Sequence, residues 1–177
     1  YMFDNPATQE NLSKLKERGV TIIGPAEGHL ASGLSGVGRL VEVPHIVDNI
    51  RAILGRNGDL AGRSVVVSAG GTQEPIDPAR VITNRSSGKM GYAVAEAARD
   101  RGANVTLVTA PTFLPTPGRV DMKYVTTVAD MRQAVLSACI GADVLIMAAA
   151  VSDYRPAQVA SQKIKKEEGG RGMTIDL

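Results

Sequence analysis

The chain has 177 residues, a formal net charge of +2, 3% aromatic residues and no tryptophan. Acidic and basic residues are interspersed, so no face is built for a nucleic-acid backbone, and the stacking platforms of single-strand binders are missing. No apolar run is long enough for a bilayer and no secretory signal is visible; the single cysteine, Cys139, offers no disulfide framework and fits a reducing cytoplasm.

In chain order, "NPATQENLSKLKERG" (5–19) predicts a helix capped by Asn5 or Thr8, with Pro6 in its first turn and Gly19 at its stop. "VTIIG" (20–24) predicts a short buried strand, and "PAEGHLASGLSGVGRL" (25–40), glycine-rich and aperiodic, a loop. "VPHIVDNIRAIL" (43–54) predicts an amphipathic helix with Ile46, Ile50, Ile53 and Leu54 on one face. Glycines punctuate "GRNGDLAG" (55–62), which sets a domain boundary between 1–60 and 61–177.

Beyond that boundary the rhythm is βα. "RSVVVSAGG" (63–71) and "NVTLVTAP" (104–111) predict strands flanking the helix "GKMGYAVAEAARDRG" (88–102). After the proline-rich loop "PTFLPTPGRVD" (111–121) come a short strand "KYVTT" (123–127) and a helix "VADMRQAVLSACIG" (128–141). The strand "ADVLIMAAAV" (142–151), buried and strongly apolar, leads into a polar excursion (152–172) and a last strand "MTIDL" (173–177). Apolar strands alternating with helices predict an α/β fold with a doubly wound parallel sheet. Right-handed crossovers then align the strand ends along one edge, where ligands bind at a topological switch point. The chain stops inside a strand, which reads as an internal piece of a longer protein.

Several stretches at that edge have chemistry to offer. In "SAGGTQEPID" (68–77), Gly70 and Gly71 let backbone amides approach a phosphate, although neither the dinucleotide fingerprint nor the P-loop spacing is met and an ordinary glycine turn reads alike. "NRSSGKMG" (84–91) gathers Asn84, Ser86, Ser87, Gly88 and Lys89 at a helix start, where free amides and the helix dipole favour an anion. Asn84 can meet a carbonyl or a developing oxyanion, while the serines also suit a plain cap. The alanines of "AAAVSDY" (148–154) leave room for a ring or sugar, and Asp153 can accept from hydroxyls or hold a metal; tight packing and a solvated aspartate explain the same residues. "KIKKEE" (163–168) is a solvated loop or a flap bringing lysine to phosphates. "GHLASGLSGVGRL" (28–40) reads as a glycine-hinged clamp, with Arg39 for a carboxylate or phosphate. Cys139 faces the core, and the isolated His29 and His45 do not read as metal ligands.

With these residues assembled, the chain resembles the bifunctional bacterial phosphopantothenoylcysteine decarboxylase/phosphopantothenate–cysteine ligase family of coenzyme A biosynthesis. The carriers are "NPATQENLSKLKERGVTIIGP", "GHLASGLSGVGR", "SAGGTQEPIDPARVITNRSSGKMG", "AAAVSDYRPA" and "KIKK", and the resemblance covers essentially the whole chain. It implies that residues 1–60 are the C-terminal part of a flavodoxin-like, FMN-dependent decarboxylase with its substrate clamp. Residues 61–177 are then the N-terminal part of a Rossmann-like ligase. The clamp of well-known members carries a proton-donating cysteine where this chain has Ser32, a far weaker acid. The donor then lies elsewhere, the step is impaired, or serine suffices.

For the ligase, the resemblance implies that the carboxylate of 4'-phosphopantothenate attacks the α-phosphate of CTP, and that cysteine then displaces CMP from the acyl cytidylate. Gly70, Gly71, Met147, Ala148, Ala149, Asp153 and Lys163 are expected to hold the nucleotide. Asn84, Ser86, Ser87, Gly88 and Lys89 are expected to hold the acyl substrate, with Asn84 and Lys163 catalytic and Mg2+ screening the triphosphate. FMN is expected only in the full-length decarboxylase domain. A ligase dimer, a cytoplasmic location and an isolated piece without activity are expected too. Two other classes stay open: a nicotinamide-dependent oxidoreductase, and a non-catalytic assembly module.

Overall fold

The structure, a computed structural model, describes residues 2–165. The expected strand "MTIDL" and the second half of "KIKKEE" therefore lie outside the described residues. The chain divides into two compact units, Tyr1–Arg51 and Ala52–Leu177.

In the first unit, Asn5 caps α1 (Pro6–Glu17) by accepting from the Ala7 amide at 3.0 Å, with Pro6 in the opening turn. Residues 20–24 form no strand, because no described segment pairs with them. The expected loop is instead an antiparallel hairpin, β1 (Ala26–His29) and β2 (Ser35–Arg39). Its glycines make room for neighbouring side chains: a Cβ on Gly38 would lie 3.2 Å from Leu30 Cδ2, and one on Gly28 would lie 2.9 Å from Arg39 Cδ. The aperiodic sequence hides a hairpin because alternate positions carry no side chain that could show the period of two.

Helix α2 (Val43–Gly55) buries only Ala52; Ile46 and Ile53 are half-buried, and Ile50 and Leu54 are exposed. The turns after it dock on the end of α3 (Lys89–Asp100): the Leu60 amide donates to Arg101 O at 3.1 Å, and Asp59 pairs with the Arg101 guanidinium.

The second unit is built on four parallel strands in the order β7 (Asp121–Tyr124), β6 (Asn104–Thr109), β3 (Ser64–Ala69), β8 (Val144–Met147). Val65, Val67 and Ala69 of β3 pack on Tyr92, Ala95 and Ala98 of α3. Val66 packs with Met131 and Val135 of α4 (Val128–Ala138), with Cys139 half-buried beside them. Alternate residues of one strand thus serve opposite helices, and the fold is a doubly wound, Rossmann-like α/β sheet. The chain winds from β3 out to β7 and returns to β8 on the other side of β3, so the switch point lies between β3 and β8.

Two features differ from expectation. β8 is not buried: it is an edge strand among the described residues, and Met147 is 57% exposed. Residues 73–83, to which the sequence reading assigned no element, form a second antiparallel hairpin, β4 (Gln73–Asp77) and β5 (Arg80–Thr83). Its tip is closed by Asp77, which accepts from the Ala79 amide at 2.7 Å and pairs with Arg80 at 3.3 Å.

Candidate active site

At the carboxyl edge of the sheet, Gly70 and Gly71 let three backbone segments close on one another. Gly70 has φ +79°, and a Cβ there would lie 2.8 Å from Ala110 O; on Gly71 it would lie 2.9 Å from Asn84 O. The Ala150 amide donates to Gly70 O at 2.8 Å, and the Thr72 amide to Ala150 O at 3.3 Å. The missing side chains therefore make room first for the protein's own main chain.

The 84–91 stretch folds onto this turn. Asn84 Nδ2 donates to the Val151 carbonyl at 3.0 Å, and Thr83 Oγ1 to the Thr72 carbonyl at 2.8 Å. Ser86 Oγ accepts from the Gly88 amide at 3.3 Å and Ser87 Oγ from the Lys89 amide at 3.5 Å, so both serines cap the entry to α3. Gly88, the N-cap, is left-handed at φ +73°, and a Cβ there would lie 2.7 Å from Thr112 Cγ2. Two orphan donors of the helix start remain, since the Met90 and Gly91 amides meet no acceptor among the described residues.

The two helix starts differ in charge. The first turn of α3 carries no acid and begins with the exposed Lys89. The first turn of α4 is closed by a capping box of Thr127 and Asp130 and by buried Glu74, whose Oε1 accepts from the Val128 amide at 2.8 Å. The Thr127 amide holds the Asp130 carboxyl below the usual carboxylate range. With carboxylates already on the dipole of α4, α3 is the start suited to an anion.

Beyond β8, the chain from Met147 to Ser152 is held by hydroxyls. Ser68 Oγ accepts from the Ala148 and Ala149 amides at 3.1 and 3.2 Å, and Thr72 Oγ1 accepts from the Ser152 amide at 2.9 Å. Asp153 is exposed in a cavity of about 390 Å³ that it shares with Glu74, Arg132 and Arg155. Lys163 is elsewhere. Its neighbour Ile164 donates its amide to Asp77 Oδ2 at 3.1 Å and accepts from Arg80 Nη2 at 3.3 Å, at the tip of the β4–β5 hairpin; Asn84 follows the base of that hairpin. Burial of Asp77 opposes its charge, yet the Ala79 and Ile164 amides and Arg80 outweigh that and hold its carboxyl below the ordinary value.

The expected residues thus fall into three groups. Gly70, Gly71, Asn84, Ser86, Ser87, Gly88, Lys89, Met147, Ala148 and Ala149 meet at one edge, with Asp153 close behind Ser152. Lys163 stands at the far end of a hairpin. Ser32 lies in the other unit, in the turn between β1 and β2, on a largely apolar cavity of about 750 Å³ that also touches Phe3, Leu12 and Arg39. Arg39 pairs there with Glu42, and His29 Nδ1 lies 3.2 Å from Ser35 Oγ. No group of three or more His, Cys, Asp or Glu side chains gathers as a metal site among the described residues. Sequence reading missed Ser68, Thr72 and Thr83; the one signal for Ser68 was a hydroxyl inside the apolar run "VVVSA".

Residues 60–177 match the family model described as DNA/pantothenate metabolism flavoprotein C-terminal domain. The chain belongs to that flavoprotein family. Residues 1–55 match a second model, described as Flavoprotein. The chain is 49% identical over 181 residues to the coenzyme A biosynthesis bifunctional protein CoaBC of Mycobacterium bovis (strain ATCC BAA-935 / AF2122/97), covering 99% of this chain and 43% of that protein. The CoaBC protein of Bacillus subtilis (strain 168) is 44% identical over 180 residues, with 100% of this chain and 44% of the relative covered. The family member therefore spans less than half the length of the curated relatives it matches. Among solved structures, the C-terminal domain of a CoaBC protein superposes with a TM-score of 0.54 at 44% identity, covering 59% of this chain and 55% of that one. No helix among the described residues is long and apolar enough to cross a membrane.

Proposed function

We propose that the full-length protein serves coenzyme A biosynthesis, and that its second unit carries the CTP-dependent joining of 4'-phosphopantothenate to cysteine. The first unit would belong to a decarboxylase acting on 4'-phospho-N-pantothenoylcysteine. The observation that carries this reading is the meeting of Asn84, the acid-free start of α3 and the 147–152 segment at the switch point. A ligase that first activates a carboxylate needs an anion cradle and a nucleotide seat side by side, because attack at the α-phosphate requires both substrates in contact.

In this reading Met147, Ala148, Ala149 and Asp153 seat the cytidine, and the Met90 and Gly91 amides with Lys89 hold an anionic end of the acyl substrate. One Nδ2 hydrogen of Asn84 is engaged by Val151 and the other is free for the acyl carbonyl. Lys163 serves the triphosphate once the 152–165 segment moves from the hairpin tip onto the strand end. The donor set fits Mg2+ in a limited way: a lone exposed Asp153 suits an ion held mainly by substrate phosphates. When bound, the ion would screen charge as pyrophosphate leaves. The largely apolar cavity of the first unit suits a flat ring, but its one arginine, Arg39, is paired with Glu42, so the described residues leave the phosphate of FMN without a charged partner; no step is assigned to it. The ligase unit would act as a dimer, and a monomeric mass by light scattering of full-length protein would count against that.

The test uses full-length protein with CTP and 4'-phosphopantothenate. Pyrophosphate release without cysteine, followed by amide formation when cysteine is added, is expected. Selective binding of NAD, or binding of no nucleotide, would overturn the reading in favour of an oxidoreductase or an assembly module.

A further inference from the structure

We infer that Ser68 is a positioning residue that sets the course of the 147–149 main chain, and so the seat of the nucleotide, with Thr72 doing the same at Ser152. The inference rests on the CTP reading above. β3 and β8 are in register as far as Ser68 opposite Met147, and the next pairing is Gly71 opposite Ala150. Both chains advance equally, so there is no bulge, yet the ladder is interrupted between these points. The interruption is filled by one side chain. Ser68 Oγ accepts from the Ala148 and Ala149 amides and donates to Met147 Sδ at 3.7 Å. Two acceptor sites and one donor are all that a hydroxyl has, so its capacity is fully used.

The placement is costly unless it does something. Ser68 and Thr72 are each 0% exposed; Ser68 stands in β3 among buried valines and alanine, and Thr72 follows the glycine turn that ends that strand. A continued ladder would satisfy only one of the two amides with a β3 carbonyl, because successive N–H groups of a strand point to opposite sides and β8 is an edge among the described residues, and it would keep the strand end flat against β3. The hydroxyl instead holds two successive amides turned toward one point, which carries the chain off the line of the sheet at the switch point. Alanine at 148 and 149 has no polar side chain to steer that course, so it is set by the bonds their main-chain amides make to Ser68 Oγ. Thr72 repeats the device: its amide donates to Ala150 O while its Oγ1 accepts from the Ser152 amide. The acceptor of the Asn84 side-chain amide, the Val151 carbonyl, lies between these two anchors.

The experiment compares full-length wild type, Ser68→Ala, Ser68→Thr and Thr72→Val in pyrophosphate release, with melting curves for each. Ser68→Ala leaves two amides without an acceptor, and we expect the KM for CTP to rise roughly tenfold to a hundredfold, the range set by one or two lost buried hydrogen bonds. The kcat at saturating CTP and the KM for cysteine should stay near wild type, because ground state and transition state lose the same seat. Ser68→Thr keeps the hydroxyl and should restore the KM for CTP; Thr72→Val should behave like Ser68→Ala. Wild-type kinetics in Ser68→Ala would overturn the inference, and so would equal losses in the alanine and threonine variants. Loss of folded structure in Ser68→Ala would also overturn it, since the hydroxyl would then serve the fold. A wild-type protein inactive with CTP would instead remove the underlying reading, and the inference with it.

Discussion

Asn84 donates its side-chain amide to the main-chain carbonyl of Val151, 67 residues away, at 3.0 Å. The residue expected to meet the activated acyl group is thus also a clasp between the β4–β5 hairpin and the segment beyond β8. Any ligand seated on Ala148 and Ala149 is coupled through this bond to the loop that opens α3. The two expected subsites are therefore one piece of structure rather than two neighbours.

Gly91 tests how tightly α3 is set against β3. Alanine is the better helix former by about 1 kcal/mol, so propensity alone favours Gly91→Ala. A Cβ there would lie 2.6 Å from Ala69 Cβ and 2.8 Å from Ser68 O, neither of which can swing away. Overpacking of this kind costs about 1–3 kcal/mol. Urea unfolding should show the variant destabilised, by an unchanged slope and a lower midpoint; a midpoint at or above wild type would mean that the helix shifts freely.

Asp143 gives a pH dependence of known sign. The Ser64 amide donates to it at 2.8 Å and Arg63 at 3.0 Å, and these hold its carboxyl below the usual range. A carboxyl depressed in the folded state stabilises above its unfolded pKa and loses that contribution as pH falls through the folded value. The stability gap between wild type and Asp143→Asn should therefore be full above the ordinary carboxylate range and close as the pH falls below it. A gap that widens on acidification would contradict the assignment. The site is partly exposed, so the gap should also shrink in high salt.

The first unit supports a negative prediction. The 177-residue chain should purify without flavin absorbance, because the cavity beside Ser32 offers an apolar lining and no free phosphate-binding group among its described residues. Flavin that survives gel filtration with this chain would show that the cavity is a cofactor seat after all.

The parallel sheet and its helices were legible because β3 is an apolar run, β6 is rich in β-branched residues, and α3 and α4 are bounded by Gly88, Gly102 and Thr127. Both hairpins were not. In β1 the alternate positions are Ala26 and Gly28 and in β2 they are Gly36 and Gly38, so the alternation that marks a strand has no large apolar member on that face to carry it. In 73–83 the pattern is broken by Pro75 and by buried acids: Glu74 and Asp77 point inward to satisfy amides of α4, of Ala79 and of Ile164. The site was half legible for a related reason. Residues offering chemistry, such as Asn84 and Lys89, announce themselves by type. Those that shape the main chain do not: Ser68 looks like an ordinary member of a strand, and Thr72 like an ordinary residue after a glycine turn. The separation of Lys163 from Asn84 depends on where the excursion runs along the hairpin, which no local pattern records.

We propose a division of labour between Asn84 and Lys163 in the full-length protein. Lys163 should serve the first half-reaction, because charge on the triphosphate is greatest as pyrophosphate departs, and Lys163→Gln in full-length protein should suppress cytidylate formation itself. Asn84 should serve the second, by holding the acyl cytidylate for attack by cysteine. Asn84→Asp keeps the size but removes the donor, and it sets a carboxylate against the Val151 carbonyl and the incoming acyl oxygen. That variant should release pyrophosphate and accumulate the acyl cytidylate. A lost charged or oxyanion contact lowers the rate by about 10²–10³, so each defect should stand clear of the background. The assay is pyrophosphate release with and without cysteine, with mass detection of the intermediate. If the two variants stall at the same step, the hairpin tip and the hairpin base serve a single event, and the separate roles assigned to Lys163 and Asn84 are wrong.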